Sequence, residues 1–266
     1  MNLLITGVAS GIGLAAAEYF IRRGYVVYGI DVAPVAEREN FYGFIADITD
    51  EDSLQAIRGQ LEKQGILLDA IVNVAGVHIM ASLVESDLRQ MKKVVDVNLW
   101  GAILVNRVFH RCLGERGRII TVTSEVAGFD PMPFNGLYSV TKTALDAYAQ
   151  ALRQELNLIG QKVVTIRPGA VETSLCAGSV KATKDLAENT QLYKKQAKSF
   201  FGLAAKFMGK PIKAEILAAI IYKAATAKHP KLIYKKHHNP GLVLLNLLPK
   251  AWQCALIKLL LKLQLF

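Results

Sequence analysis

Short apolar runs of strand length alternate along the chain with longer segments in which apolar residues recur at helical spacing. The strand-like runs are LLIT, VVYGI, FYGFIA, AIVNVA, RIITVT, KVVTI and KLIY. The helical segments include AAAEYFIRRG, DSLQAIRGQLEKQG, LRQMKKVVDVNLWGAILVNRVFHRCL and the residues after Tyr138. Continuous apolar strands linked by helices predict a parallel sheet that is buried on both faces. We therefore expect an α/β, doubly wound domain of seven parallel strands, with a ligand crevice at their carboxyl ends.

The length and composition of the chain fit this arrangement. Its 266 residues are 52% hydrophobic, which is enough for a substantial core. We expect a single domain over residues 1–240 and an apolar, basic helical extension over 241–266. The chain opens on the strand-like MNLLITG, which predicts no secretory signal, and its three cysteines show no disulfide or zinc spacing. These features favour a reducing, cytoplasmic location.

A glycine-rich segment, ITGVASGIG, joins the first predicted strand to the first predicted helix. Gly7, Gly11 and Gly13 permit a tight turn and leave no side chain to hold a diphosphate away. The helix N-terminus adds free amides and a positive dipole, so the segment predicts nucleotide binding.

Asp31 ends the second predicted strand, 18 residues after Gly13. At this place a carboxylate accepts hydrogen bonds from both adenosine ribose hydroxyls and repels a 2′-phosphate, which selects NAD over NADP. A turn or helix-capping aspartate is the alternative.

The segment YSVTK places Tyr138 and Lys142 four residues apart on one face of a predicted helix. A phenol ordinarily loses its proton at a pKa of about 10, and a fixed ammonium nearby lowers that pKa. The pair is therefore either an acid–base device or two solvated surface residues, and the spacing alone does not separate these readings.

Together, these motifs make residues 1–235 resemble the short-chain dehydrogenase/reductase family, whose members have a Rossmann-type fold. Residues 6–13 fit its TGxxxGxG loop, and residues 73–76 fit its NNAG motif with valine at the second place. Residues 167–173 fit the segment PGxVxT. The family's catalytic tetrad is matched by Asn98, Ser124, Tyr138 and Lys142, which favours the acid–base reading.

The resemblance implies a role for each matched residue. Tyr138 exchanges a proton with the substrate oxygen, Lys142 binds the nicotinamide ribose and lowers the Tyr138 pKa, and Ser124 orients the reacting oxygen. Asn98 is expected to hold a water that links Lys142 to solvent. The other residues that the resemblance places at NAD are Thr6, Gly7, Ser10, Gly11, Ile12, Gly13, Asp31, Asp47, Ile48, Asn73, Ala75, Gly76, Pro168, Gly169, Val171 and Thr173.

The implied activity is NAD-dependent interconversion of a hydrophobic secondary alcohol and its ketone, with similarity to the hydroxysteroid and retinol dehydrogenase branch. Residues 174–212 are expected to cover a steroid-, retinoid- or lipid-like substrate. Their apolar members are Leu175, Leu192, Phe200, Phe201, Leu203, Phe207 and Met208. The family commonly pairs through helices near residues 90–111 and 142–157, so we expect a homodimer or homotetramer. A non-catalytic, NAD-responsive regulator is the alternative function.

The positive charge is concentrated at one end of the chain. Residues 171–266 hold 16 lysines and 4 acidic residues, whereas the whole chain has a net charge of +10. Lysines and polar residues in 241–266 gather on one half of a predicted helix beginning near Pro249; Trp252, Leu256, Leu259, Leu260 and Leu263 occupy the other half. This pattern suits a helix lying in a membrane interface, and packing over the substrate pocket or a partner subunit is the alternative.

Two classes of site are not expected. The basic region lacks arginine and interleaved aromatic residues, which argues against nucleic acid binding. No zinc-ligand spacing links the five histidines, so we predict no metal site and assign surface or packing roles to His78, His110, His229, His237 and His238.

Overall fold

A parallel sheet of seven strands forms the centre of the computed structural model, which describes residues 1–207 and 210–262. The strands are β1 (Asn2–Thr6), β2 (Val26–Asp31), β3 (Phe41–Ile45), β4 (Leu68–Asn73), β5 (Leu113–Val122), β6 (Lys162–Pro168) and β7 (Ile233–Lys236). Their spatial order is β3-β2-β1-β4-β5-β6-β7. The order reverses between β1 and β4, and this reversal puts the ligand crevice at the carboxyl ends of those strands.

Helices cover both faces of the sheet. They are α1 (Gly11–Ile21), α2 (Glu51–Lys63), α3 (Leu88–Val95), α4 (Ala102–Phe109), α5 (Gly136–Asn157), α6 (Ser174–Asn189), α7 (Lys194–Phe207), α8 (Ala214–Thr226), α9 (Pro240–Leu245) and α10 (Lys250–Lys262). Leu4 packs in the cluster that contains residues of α2, α4 and α5, while its neighbours Leu3 and Ile5 pack in the cluster formed with α1 and α8. Consecutive strand residues enter opposite cores, which explains the continuous apolar runs.

The segment expected to be one helix over residues 88–113 is interrupted twice. A π-helical turn occupies Asp96–Gly101 and a 3-10 turn occupies His110–Cys112, before Leu113 begins β5. Side-chain hydrogen bonds hold the π turn in place, because Asn98 Oδ1 accepts from the Val77 amide at 2.8 Å and Nδ2 donates to Thr141 Oγ1 at 3.1 Å. The spacing of apolar residues along the chain gives no information about such polar contacts.

The C-terminal extension consists of two helices. Asn239 caps α9, and α10 begins at Lys250, close to the predicted start. The expected division of α10 into polar and apolar halves is wrong in one respect, since Gln253 is only 5% exposed while Trp252 and Leu259 face outward. None of the described helices is long and apolar enough to cross a membrane.

Candidate active site

The glycine-rich loop between β1 and α1 forms one wall of a large cavity of about 990 Å³. Gly7 has a φ of +75°, and a Cβ at Gly13 would lie 2.0 Å from the Gly7 carbonyl oxygen, so neither position accepts a side chain. Ser10 and Ile12 line the cavity beside them. The loop backbone can therefore come close to a diphosphate at the start of α1.

Two carboxylates stand at one end of this cavity. Asp31 accepts hydrogen bonds from the amides of Ala9 at 2.9 Å and Ala33 at 3.0 Å, which fixes its position beside the glycine-rich loop. Asp47 lines the same end with Ile48, and its Oδ1 accepts from the Thr49 amide and hydroxyl. The predicted Ala75, Gly76, Pro168, Gly169, Val171 and Thr173 also line the cavity.

Three predicted site residues lie behind the cavity wall instead of lining it. Thr6 Oγ1 accepts from the amides of residues 74 and 75, both at 3.1 Å, so it joins β1 to the end of β4. Asn73 Nδ2 donates to Asn106 Oδ1 at 2.8 Å, and its role as a cofactor contact stays a prediction. The Asn98 amide is bonded to Val77 and Thr141, so its side chain holds the turn after β4. Its water-holding role stays a prediction.

Ser124, Tyr138 and Lys142 converge on the cavity further along. Ser124 follows β5, and its side chain is close enough to Tyr138 to lower the Tyr138 pKa, whereas the neighbouring Thr123 hydroxyl is bonded to Asp146 and Ile166. Tyr138 and Lys142 lie on the first turns of α5, with Lys142 Nζ 5.8 Å from the centre of the phenol ring. The structure thus brings Ser124, Tyr138 and Lys142 together, and their catalytic roles stay predictions.

Burial controls the protonation of this group. It raises the pKa of Tyr138 to about 12, opposed by the hydrogen bond from Ser124, and lowers the pKa of Lys142 to about 8. Among the protein groups, burial of the phenol and the nearby Glu125 carboxylate raise the Tyr138 pKa, and its lowering by Lys142 stays a prediction. At neutral pH, Tyr138 holds its proton and Lys142 is charged.

His78 is part of the site, although the sequence indicated only a surface or packing role. Its ring packs edge-on against Tyr138 with centroids 4.4 Å apart. Nδ1 lies 2.6 Å from Ser179 Oγ on α6, and Nε2 lies 2.9 Å from Asn135 Oδ1 before α5. Burial lowers the His78 pKa, so the ring is neutral at pH 7. In the sequence, His78 lies two residues after the Asn73–Gly76 motif, which begins at the carboxyl end of β4. This position is the feature that could have placed His78 in the site.

The half of the cavity beyond Tyr138 is apolar. Leu175, Phe200 and Leu203 line it as expected, together with Met80 and Met132. Two other residues expected there do not line the cavity, because Leu192 is exposed and Phe201 lies outside the lining. For Phe207 only the backbone is described, and Met208 lies outside the described residues.

Residues of α9, α10 and their connection complete this apolar half, namely Leu242, Leu244, Leu245, Leu248, Leu256, Ile257 and Leu260. The cavity lining also includes Glu125, whose Oε2 accepts from the Asn239 amide at 2.5 Å, directly before α9. An uncharged, elongated apolar group fits these walls.

Asp130, in the segment between Ser124 and Tyr138, holds the extension over the cavity. Its amide donates to Asn246 Oδ1 at 2.7 Å, and its carboxylate accepts from Gln253 Nε2 at 3.2 Å and lies 3.4 Å from Lys250 Nζ. Met132 and Phe134 then pack against Ile257 and Leu261. The pocket-covering alternative for residues 241–262 is therefore the arrangement present.

The absence of a metal site stays a prediction. Among the described residues, no group of three His, Cys, Asp or Glu side chains could hold a metal ion. The cavity lining offers hydroxyl, phenol, ammonium, imidazole and carboxylate groups. The glycine loop, Asp31 and Asp47 at one end and Tyr138 with Lys142 beyond them fit an extended nicotinamide dinucleotide.

Residues 1–184 match the family model described as short chain dehydrogenase. The chain is 33% identical over 180 residues to the NADPH-dependent 1-acyldihydroxyacetone phosphate reductase of Schizosaccharomyces pombe, covering 65% of this chain and 60% of that protein. It is 28% identical over 251 residues to the NADPH-dependent 3-dehydrocapnine reductase of Ornithobacterium rhinotracheale, covering 87% and 86%.

A solved structure has the same fold. A short chain dehydrogenase family protein from Francisella tularensis superposes with a TM-score of 0.73 at 22% identity, covering 88% of this chain and 96% of that chain. The family model spans more than half of the sequence, and the Ser124, Tyr138 and Lys142 geometry agrees with it. The chain belongs to the short-chain dehydrogenase family.

Proposed function

We propose that this protein is an NAD(H)-dependent oxidoreductase that interconverts a lipid-like ketone and its secondary alcohol. The observation that carries the proposal is a cavity in which Ser124, Tyr138 and Lys142 separate a dinucleotide-shaped end from an apolar end. When bound, the nicotinamide supplies or accepts a hydride. The two relatives named above are reductases of lipid-like compounds by name, which supports the same substrate class here.

The side chains account for the proton transfer. A substrate carbonyl oxygen placed between Ser124 and Tyr138 accepts a hydrogen bond from each hydroxyl, and Tyr138 Oη delivers its proton as negative charge develops on that oxygen. An alkoxide is about as basic as hydroxide and is therefore a much stronger base than the Tyr138 phenolate. A phenol with a pKa of about 12 therefore donates readily, and charged Lys142 stabilises the phenolate that remains.

Reduction is the direction that these protonation states favour at neutral pH. Tyr138 holds the proton that reduction needs, whereas oxidation needs a base at the same atom. A substrate panel tests the activity: long-chain 2-ketones with NADH, and the matching 2-alcohols with NAD. The proposal predicts turnover that rises with chain length. NADH binding with no turnover of any ketone or alcohol would support the non-catalytic regulator instead.

Preference for NAD(H) is the finer part of the proposal, and it rests on Asp31. Both carboxylate oxygens are fixed by backbone amides at the end of β2, and the next residue is the uncharged, exposed Val32. A 2′-phosphate beside this carboxylate would meet electrostatic repulsion. The two relatives are NADPH-dependent by name, so the preference has to be measured on this chain.

Asp31→Asn is the first prediction. It removes the charge while keeping an acceptor oxygen, so the preference for NADH over NADPH, which we expect to be at least about tenfold or ~1.4 kcal/mol, narrows. The ratio of the two kcat/KM values measures it. Glu39→Gln, a nearby exposed carboxylate outside the cavity, is the control and leaves the ratio unchanged. Equal kcat/KM values with the two cofactors in the parent would contradict the assignment.

Assembly as a homodimer or homotetramer is also proposed. Of the apolar residues on the expected interface helices, Val94, Val105 and Leu145 are buried within the chain and belong to its own core. Exposed apolar residues on or next to these helices include Trp100 and Val140, which are 52% and 54% exposed. Light scattering of the parent measures the oligomeric state, and a monomer at micromolar concentration would contradict the proposal.

A further inference from the structure

The C-terminal extension carries a row of exposed apolar side chains that no part of the described chain covers. We call this row the docking surface; it consists of Val243, Leu244, Leu247, Trp252, Leu256 and Leu259. Leu247 is 76% exposed and Trp252 is 67% exposed. Isolated exposed leucines are common, but a contiguous apolar surface with an outward tryptophan marks an interaction site.

Polar contacts fix the outward orientation of these residues. Gln253 is buried beneath α10, where it donates to Asp130 and to the Leu248 carbonyl oxygen at 2.9 Å. Asn246 is likewise turned inward toward the Asp130 amide. Hydrophobic burial alone would place Trp252 inside and Gln253 outside, so the reverse arrangement keeps the apolar row at the surface.

Basic side chains flank the docking surface. Lys250, Lys258 and Lys262 are exposed on α10, the helix that also carries the exposed Trp252 and Leu259. Residues 171–266 carry an excess of twelve positive charges, from 16 lysines less 4 acidic residues. Lysines beside exposed tryptophan and leucine match the anionic headgroups and acyl boundary of a phospholipid bilayer.

The docking surface is continuous with the cavity. Leu244 and Leu256 are exposed and also line the cavity, whose apolar end is closed by Ile257 and Leu260 on the inner side of α10. The mouth of the apolar half of the cavity therefore lies among residues of the docking surface. A bilayer against this surface would place acyl chains at the mouth, with little water to cross.

We propose that the docking surface binds an anionic phospholipid bilayer and turns the cavity mouth toward it, so that a lipid-like substrate enters from the membrane. The proposal rests on the proposed function for its substrate class. Binding itself does not depend on catalysis. Failure to bind vesicles therefore leaves the reductase proposal standing, and a protein that binds vesicles without ketone turnover would count against the reductase alone.

Vesicle sedimentation and tryptophan fluorescence test the proposal. Trp100→Phe leaves Trp252 as the only tryptophan, since the chain has two. With vesicles of phosphatidylcholine and roughly one-third phosphatidylserine at low salt, we expect the protein to pellet and the Trp252 emission to shift to shorter wavelength. Both effects weaken at about 0.5 M salt, because the attraction is screened. Pure phosphatidylcholine vesicles bind less protein.

Paired variants locate the surface. Trp252→Gln with Leu259→Gln, and separately Lys258→Gln with Lys262→Gln, should each lower the vesicle partition coefficient by on the order of tenfold or more. Neither pair lines the cavity, so reduction of a short, water-soluble ketone is kept. The matched controls are Leu158→Gln with Ile159→Gln and Lys63→Gln with Lys223→Gln, exposed residues elsewhere, and they leave partitioning unchanged.

Two results would overturn the proposal. One is protein that stays in the supernatant at low salt with an unshifted Trp252 emission. The other is an oligomer that dissociates in the Trp252→Gln, Leu259→Gln variant while the parent ignores vesicles, because the surface would then join two copies of the chain.

Discussion

The Lys142 ammonium is buried among groups that leave it little water, and this sets its titration range. Desolvation lowers its pKa to about 8, whereas an exposed lysine titrates near 10.5. Lys142 therefore loses its proton at a lower pH than an exposed lysine does. Once neutral, it no longer stabilises the phenolate that Tyr138 leaves after donating its proton.

A pH profile of kcat/KM for ketone reduction is the corresponding prediction. The rate should fall as pH rises through about 8, while Tyr138, with a pKa of about 12, is still protonated. In Lys142→Arg the guanidinium stays charged, so the lower rate of that variant should lack this descending limb. A parent profile that is flat up to about pH 10 would contradict the role given to Lys142.

His78 is the positioning residue that connects the substrate-covering helix α6 with the catalytic tyrosine. Ser179 and Asn135 engage its two ring nitrogens, and the ring edge rests on the Tyr138 phenol. With both nitrogens bonded to protein, the ring presents carbon atoms to an apolar substrate. Its contacts therefore fix the Tyr138 ring without adding polarity to the cavity.

His78→Leu should lower kcat by about 10- to 100-fold because the phenol loses its lateral support, while the NADH dissociation constant changes little. Ser179→Ala should give part of the same loss, and the double variant should be less than additive. His110→Leu, which breaks a comparable bond to Gln161 away from the cavity, is the control for general destabilisation. A fall in thermal stability with unchanged kcat would mean that His78 only supports the fold.

Individual residues show which parts of the site could be predicted from the sequence. Motif spacing predicted Ser124, Tyr138 and Lys142, because their chemistry needs fixed residue types at fixed places. The same spacing did not show that the Asn73 side chain, at the end of β4, bonds Asn106 on α4. A motif reports which residue occupies a position, but the direction of its side chain depends on neighbours that are distant in sequence.

Among the elements, the C-terminal extension depends most on one residue outside it. Asp130 supplies an amide donor for Asn246 and a carboxylate for Gln253 and Lys250. These bonds hold α10 above Met132 and Phe134, where it closes the apolar end of the cavity. The extension should therefore affect substrate binding far more than cofactor binding.

Asp130→Ala tests this dependence. The variant should raise KM for a long-chain ketone by several-fold and lower the free energy of unfolding by about 1 kcal/mol, because two carboxylate contacts are lost. The NADH dissociation constant should stay unchanged. Glu155→Ala, an exposed acid on α5, is the control. Equal rises in KM for ketone and for NADH would show that Asp130 supports the whole cavity and not the extension.

The elements were predicted to different degrees from the sequence. The seven apolar runs correspond to the seven strands. The inner strands are buried on both faces, whereas the edge strands β3 and β7 are partly exposed. The interruption at Asp96–Gly101 was missed, since it depends on Asn98 reaching residue 77 and α5. For α10 the spacing of apolar residues predicted a polar and an apolar half of the helix. The contact with Asp130 nevertheless turns the polar Gln253 inward.

At the scale of the whole molecule, the switch between β1 and β4 brings the glycine-rich loop, the carboxylates and the catalytic group to one edge of the sheet. The parallel pattern predicted this edge and a cavity along it. The length of the apolar half was beyond prediction, because it is assembled from residues near 80, 132, 200 and 256 that share no sequence motif. The central claim is that Tyr138 transfers the proton at the junction of the two halves.

Steady-state reduction of a long-chain ketone by Tyr138→Phe, with NADH binding measured in parallel, tests that claim most directly. The substitution removes only the hydroxyl oxygen, so the fold, the ring contact with His78 and the NADH dissociation constant should stay within about twofold of the parent values. The account predicts that kcat falls by at least about 100-fold, the usual contribution of general acid catalysis. A Tyr138→Phe variant that reduces the ketone within a few-fold of the parent rate would contradict it.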